Sequence, residues 1–315
     1  MVRALPIAVL LAVLLAALLT TPLAAQERQR LVIATGSITG LYYAAGNAVC
    51  RVLERRPDNR FDCRVMETAG SGENLALLRA GRADLAMAQS DVLAGRPGVG
   101  ERLAVAALYP EVFQVVGRRS LGMTVAGDVL AHRFNIGMPG SGTRLTLEAL
   151  MRTNGIRLAD FANPVELSGA EEASAFCRGR IDGFVFLSGI PNSKIASVLK
   201  NCDGEILGFV RSEVADFVRS RRGIDFFRFR RNTYAEMTET LDTFAVAALL
   251  VASPRMEDGT VREILGALLA DIDWFTRLHP AWTQLLPADM ALNMERQVMH
   301  PAAETVYVAN AIISE

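Results

Sequence analysis

Three glycine-rich stretches of this chain each follow a short apolar run and precede residues with helical spacing. Open α/β sheets bind ligands at such places, because the free N–H groups opening a helix attract anions and glycine lets the backbone approach closely. The first stretch is Gly36-Ser37-Ile38-Thr39-Gly40-Leu41-Tyr42-Tyr43, with Ser37, Thr39 and Tyr42 as candidate contacts. The second is Thr68-Ala69-Gly70-Ser71-Gly72-Glu73-Asn74, where Ser71 reads as a helix N-cap and Asn74 as a further polar contact. Shortly after it, Gln89-Ser90-Asp91 ends another apolar run, and Asp91 reads either as a cap or as the acceptor of a ligand ammonium. The third stretch, Gly137-Met138-Pro139-Gly140-Ser141-Gly142-Thr143-Arg144, offers backbone N–H groups, the hydroxyls of Ser141 and Thr143, and the Arg144 guanidinium at one helix start. That combination suits a carboxylate or a phosphate. Leu187-Ser188-Gly189-Ile190-Pro191-Asn192 repeats the logic and offers Asn192.

Catalytic patterns are thin beside these loops. Neither a GxSxG nucleophile elbow nor an HExxH pair occurs, and no glycine loop completes a dinucleotide or Walker fingerprint. The three histidines, His132, His279 and His300, stand apart from any nucleophile or ligand pair. Two of them precede proline, which favours turn or cap roles. No enzyme, metal or cofactor is expected.

The elements that must position the loops alternate between β and α. Apolar runs at 31–35, 61–68 and 84–88 enclose helical spacing at 42–56 and 73–80, which implies a parallel sheet with helices on its faces. Two further strands are expected at 103–108 and 111–116, separated by Tyr109-Pro110. A second series follows, with strands at 134–137, 164–167 and 183–187 and helices at 142–152, 170–178, 190–199 and 212–220. The basic stretch Arg228 to Arg231 reads as a loop, 243–251 as a strand, and 260–278 and 287–299 as helices. The chain is therefore expected to leave a first α/β lobe (26–117), build a second (118–242), and return (243–315) over two crossover strands.

The chain has 315 residues, of which 51% are hydrophobic, enough for two sizeable cores. Lys plus Arg number 33 against 34 Asp plus Glu, and that balance argues against nucleic acid as a partner. Only Lys194 and Lys200 are lysines; the scattered arginines read as compositional bias. Arg3, the apolar run Ile7 to Leu19 and the break at Thr20-Thr21-Pro22 have the anatomy of a secretory signal peptide spanning 1–25. Export to an oxidising compartment makes disulfides the expected state of Cys50, Cys63, Cys177 and Cys202. Three connectivities are open, as are four buried thiols; the local pairs Cys50–Cys63 and Cys177–Cys202 are the expected ones, each joining a helix end to a following strand.

Taken together these motifs resemble the TAXI family, the substrate-binding proteins of one branch of TRAP transporters. The resemblance lies in Ile33-Ala34-Thr35-Gly36-Ser37 through Tyr42-Tyr43, in the stretch from Thr68 to Asn74, and in Gly81 through Asp91. It continues through Pro139 to Arg144, Ile181 to Phe186, Gly189 to Asn192 and His300 to Ala303. It departs at 216–239, where Arg231-Asn232-Thr233-Tyr234 stands in place of the usual Gly-Thr-Tyr. The resemblance implies a two-lobed periplasmic binding protein of type II topology that closes on a small organic anion, a glutamate-like amino acid or a dicarboxylate. It also implies a TRAP permease as membrane partner, and the protein itself is expected to be a monomer. A periplasmic sensor reporting to a membrane signalling protein is the alternative use of the same fold.

Overall fold

The computed structural model describes residues 28–95 and 102–314. The expected signal peptide lies outside the described residues. The chain opens with β1 (Gln29–Ala34), α1 (Leu41–Arg55), β2 (Phe61–Met66), α2 (Ser71–Arg79), β3 (Leu85–Gln89) and α3 (Ser90–Ala94). The long strand β4 (Ala104–Arg118) leads into β5 (Arg133–Asn135), α4 (Gly142–Thr153), β6 (Asn163–Val165), α5 (Glu172–Cys177), β7 (Gly183–Ser188) and α6 (Ser193–Asn201). Then come β8 (Gly204–Leu207), α7 (Arg211–Ser220), β9 (Ile224–Phe229) and the second long strand, β10 (Leu241–Ala252). Four helices close the chain: α8 (Asp258–Ala270), α9 (Ile272–Thr276), α10 (Pro287–Leu292) and α11 (Pro301–Ala309).

The described strands form one sheet in which the two long strands are shared between two halves. In the first half the order is β2-β1-β3-β10-β4, with β10 antiparallel to both its neighbours. In the second half it is β6-β5-β7-β4-β8, and here β4 is the antiparallel member. Each half thus borrows its odd strand from the chain's crossing, which is the type II arrangement. Every residue of β3 is buried, as expected for a parallel strand covered on both faces. Helix α1 turns Ala45, Val49 and Val52 onto the sheet, and Gly46 lies so close that an added Cβ would come within 2.6 Å of the Thr35 side chain.

One core fills the first lobe, around Ile33, Leu85 and Leu250, and the C-terminal helices pack onto it. Tyr307 of α11 donates its hydroxyl proton to the Val105 carbonyl, fastening the end of the chain to β4. The second lobe has two smaller cores, one around Phe113, Phe217 and Phe244 and one around Phe176, Phe184 and Ile195. Phe113 of β4 and Phe244 of β10 stack at 4.6 Å between centroids, so the crossing strands are also held together by side chains, at about 0.5–1.5 kcal/mol beyond burial for such a pair.

Four expectations need correction. Tyr109-Pro110 does not split a strand: β4 is continuous, because Pro110 is exposed and sits beside register shifts in the β4–β10 ladder, where its missing N–H costs no regular hydrogen bond. Arg228 is in β9, paired to Asp242 across the ladder with β10, and only Arg230 and Arg231 are outside a strand. The helical spacing at 260–278 breaks at Asp271, and the expected helix 287–299 ends at Leu292, with a separate α11 beyond. The cysteines do pair locally as Cys50–Cys63 and Cys177–Cys202. Neither pair matches the expected helix-end-to-strand geometry: Cys50 sits inside α1 rather than at its end, and the second pair joins the ends of two helices, α5 and α6.

Candidate ligand-binding cleft

A cavity of about 590 Å³ lies where the two halves of the sheet face each other, within the usual range of about 300–1,000 Å³ for small-molecule sites. The N-termini of α1, α2, α4 and α6 all contribute to its wall. Each brings backbone N–H groups without intrahelical partners and the positive end of a helix dipole. Four such ends converging on one space favour negative charge there.

The expected contacts divide into two groups. Ser37, Thr39, Tyr42, Ser71, Gln89, Ser141, Thr143 and Asn192 line the cavity. Asn74, Asp91 and Arg144 do not: all three lie behind the wall, where Asn74 and Arg144 are engaged by their neighbours and Asp91 keeps one carboxyl oxygen without a partner. Asn74 donates to the Thr35 and Met87 carbonyls and accepts from Thr68, tying α2 to β1 and β3. Asp91 accepts from the Thr146 hydroxyl at 2.7 Å and is buried within α3, which also removes its expected capping role. Burial raises its carboxyl to about 6. Arg144 is held by Glu148 and Glu166, each at 2.7 Å, and by the Gly137 carbonyl, so its charge is used to fix the third loop.

Local structure explains the rest. Ser141 is the N-cap of α4 and accepts from the Arg144 N–H; Asn192 caps α6 the same way through Lys194 and Ile195. Ser71 is not the cap of α2, since Gly70 holds that position; its hydroxyl accepts from the Gln89 N–H and meets the Tyr42 hydroxyl. Tyr234, in the segment where the resemblance to the TAXI motifs lapses, donates to Gln114 of β4 and accepts from the Asn192 N–H, which anchors the α6 end of the wall. His279 and His300 each cap the turn after them through Nδ1. The second and third glycine loops press together along one flank: a Cβ on Gly72 would lie 2.4 Å from the Gly140 carbonyl, and one on Gly142 would lie 2.2 Å from Oε1 of Gln89.

Three charged residues on the wall were not among the expected contacts. Lys194 of α6 is in ionic contact with Glu172 of α5, donates to the Gly169 carbonyl at 2.9 Å, and has its Nζ 3.3 Å from the centre of the Phe186 ring. Burial pushes the ammonium down and the Glu172 carboxyl up to about 7, while their mutual attraction opposes both shifts. Glu111 of β4 is the third, and accepts from the Tyr42 hydroxyl at 2.9 Å. Burial raises it to about 8, against the lowering effect of hydrogen bonds from Tyr42 and Gln89. Lys194 had a sequence signal, since it is one of two lysines and lies two residues past Asn192. Glu111 had a fainter one, as the sole acid in a mostly apolar strand. Nothing in the sequence marked Glu172.

Among the described residues no group of His, Cys, Asp and Glu is arranged to hold a metal ion, and no helix is long and apolar enough to cross a membrane. The chain is similar in structure to a protein of Bordetella bronchiseptica RB50, at 16% identity and a TM-score of 0.56, over 91% of this chain and 82% of the other. It is also similar to a candidate L-cystine ABC transporter protein from Listeria monocytogenes, at 14% identity and a TM-score of 0.50, over 85% of this chain and all of the other. These likenesses support the type II periplasmic-binding-protein fold already read from the strand order. In sequence, residues 33–308 match the model of the NMT1-like family, and the chain belongs to that family.

Proposed function

We propose that the protein is an exported solute receptor that closes its two lobes on one small organic anion, a glutamate-like amino acid or a dicarboxylate, and hands it to a membrane transporter. The observation that carries this reading is the convergence of four helix N-termini and Lys194 on a single cavity between the lobes. A carboxylate would take N–H and hydroxyl bonds from the loop at Ser141 to Thr143, with Lys194 supplying the charge first assigned to Arg144. Ser37, Thr39, Tyr42, Ser71 and Gln89 would serve the solute's other end. Charge-assisted bonds contribute roughly 1.5–3 kcal/mol each, so three or four supply a large share of the ~8 kcal/mol of a micromolar site, with apolar burial of the solute supplying the rest. The lobes would part near Glu111 and Ala247, where β4 and β10 pass from the first lobe's core into the second's, rather than at the expected 117 and 243, with these two strands as hinges. The two disulfides suit an oxidising compartment outside the cytoplasm. The motifs shared with the TAXI family favour a TRAP-type permease as the partner of a monomeric receptor.

A thermal-shift screen of the purified mature chain against amino acids and dicarboxylates tests the reading. The expected result is a rise in melting temperature with a small set of these acids that saturates with concentration. A clean preparation indifferent to every one of them contradicts it.

A further inference from the structure

Glu111 differs from every other charged group on the cavity wall in having no counter-ion. It lies on the crossover strand β4, buried to 4% exposure and among the residues that line the cavity. The groups that face it are neutral or acidic. From α1 comes the Tyr42 hydroxyl, from β3 the Gln89 amide, from α3 the Asp91 carboxyl, and from its own strand Tyr109. Among the described residues no lysine, arginine or histidine forms an ion pair with it. Lys194, the cation of the cavity, is engaged by Glu172. A buried carboxyl is costly to keep charged without a partner, so it stays protonated unless a cation is brought to it.

We propose that Glu111 is the acceptor for a cationic amine of the solute, so that the cavity takes α-amino acids in preference to the corresponding acids without an amine. The inference rests on the solute-receptor reading and narrows it. The two ends of the ligand are then read by two different devices: helix N-termini with Lys194 for the carboxylate, and Glu111 with the Tyr42 and Gln89 dipoles for the ammonium. It also moves the ammonium-accepting role from Asp91, two residues beyond Gln89, to a carboxyl that reaches the cavity. Because burial holds Glu111 at about 8, it carries its proton at neutral pH until an ammonium arrives. The ammonium keeps its three protons, the carboxyl gives its own to solvent, and the ion pair forms.

The test is calorimetric titration of the wild-type mature chain at pH 7 with matched pairs: L-glutamate and glutarate, L-aspartate and succinate, L-leucine and 4-methylpentanoate. Each titration is run in two buffers of different ionisation enthalpy, so that protons released on binding are counted. The expected result is that at least one amine-bearing acid binds about tenfold or more tighter than its partner, with release of most of a proton per site. Glu111→Gln should narrow that ratio to within about threefold and abolish the proton release, with the folded state checked by circular dichroism. Because Glu172 on the same wall also titrates near 7, the deciding quantity is the difference in proton count between each amine-bearing acid and its amine-free partner on the wild type, which is read even if Glu111→Gln misfolds. Binding of the amine-free acids as tightly as their partners, without proton release, overturns the role of Glu111 while leaving solute capture intact. Failure of all six acids to bind overturns both.

Discussion

Glu111 and Glu172 are buried carboxyls on the wall of one cavity, both held above the ordinary range by loss of water, yet only Glu172 has a cation beside it. Glu172 also accepts from Asn135, whose side chain in turn fixes the Gly137 and Leu167 N–H groups. It is part of the framework of the second lobe, and its charge serves to hold Lys194 in place. Glu111 is braced only by neutral dipoles. The difference teaches that a carboxyl on a cavity wall is informative about the ligand only after its internal partners have been counted.

The largest effect is expected from breaking the paired acid. Lys194→Met removes the carboxylate-reading charge and leaves Glu172 without its partner. Truncating one member of a buried pair costs about 3–5 kcal/mol, and the low end applies here because the lysine side chain keeps 23% of its exposure. Affinity for the acid found by the screen should fall on the order of a hundredfold, and urea melts should show the lost stability. Adding Glu172→Gln should recover most of the stability and none of the affinity. Recovery of both would mean that Lys194 only neutralises Glu172.

The disulfides sharpen the same contrast at a middle magnitude. Cys177 and Cys202 join the ends of α5 and α6, the helices that carry Glu172 and Lys194, whereas Cys50 and Cys63 staple α1 to β2 away from both acids. Closing loops of these lengths, 25 and 13 residues, is worth roughly 3 kcal/mol each in the chain-entropy view. Replacing either pair by serine should therefore lower stability similarly in chemical denaturation. Only Cys177→Ser with Cys202→Ser should also weaken binding, by about tenfold, because only there does the staple fix the ion pair. Equal losses of affinity in the two variants would remove that distinction.

The last effect concerns pH. Glu111 has a raised folded-state value, about 8 against an ordinary 4.5, so its unfolded form ionises first as pH rises. Its contribution to stability is complete below pH 4.5 and is lost progressively up to about pH 8. Glu172 follows the same sign with its midpoint near 7. Melting curves of Glu111→Gln and wild type should thus coincide near pH 4.5, and the variant should gain progressively toward pH 8, by about ten degrees or more. A constant offset across that window would show that Glu111 is charged in the folded state throughout.

These groups also mark where a sequence stops being readable. The glycine-rich strand-to-helix loops were legible because glycine, hydroxyl and cap residues at fixed spacing are local signals, and Ser141 and Asn192 do cap their helices. The two α/β series and the crossing were legible from hydrophobic periodicity. Arg144 misled because a guanidinium beside a glycine loop looks like a ligand contact, although Glu148 four residues on offered an i,i+4 partner. Asn74 was drawn behind the wall by carbonyls of two strands that are neighbours only in the folded sheet. The Glu172–Lys194 pair spans 22 residues and exists only because α5 and α6 pack side by side. Pro110 suggested a break, and only the ladder with β10 shows why β4 tolerates it.

The central claim, that this cavity captures one small acid, is met most directly by calorimetric titration of the purified mature chain with the strongest acid from the thermal screen, beside Lys194→Met as the comparison. The account predicts one site per chain at micromolar or tighter affinity in the wild type, weakened on the order of a hundredfold in the variant. Absence of saturable heat in the wild type, or an identical isotherm in the variant, would contradict it.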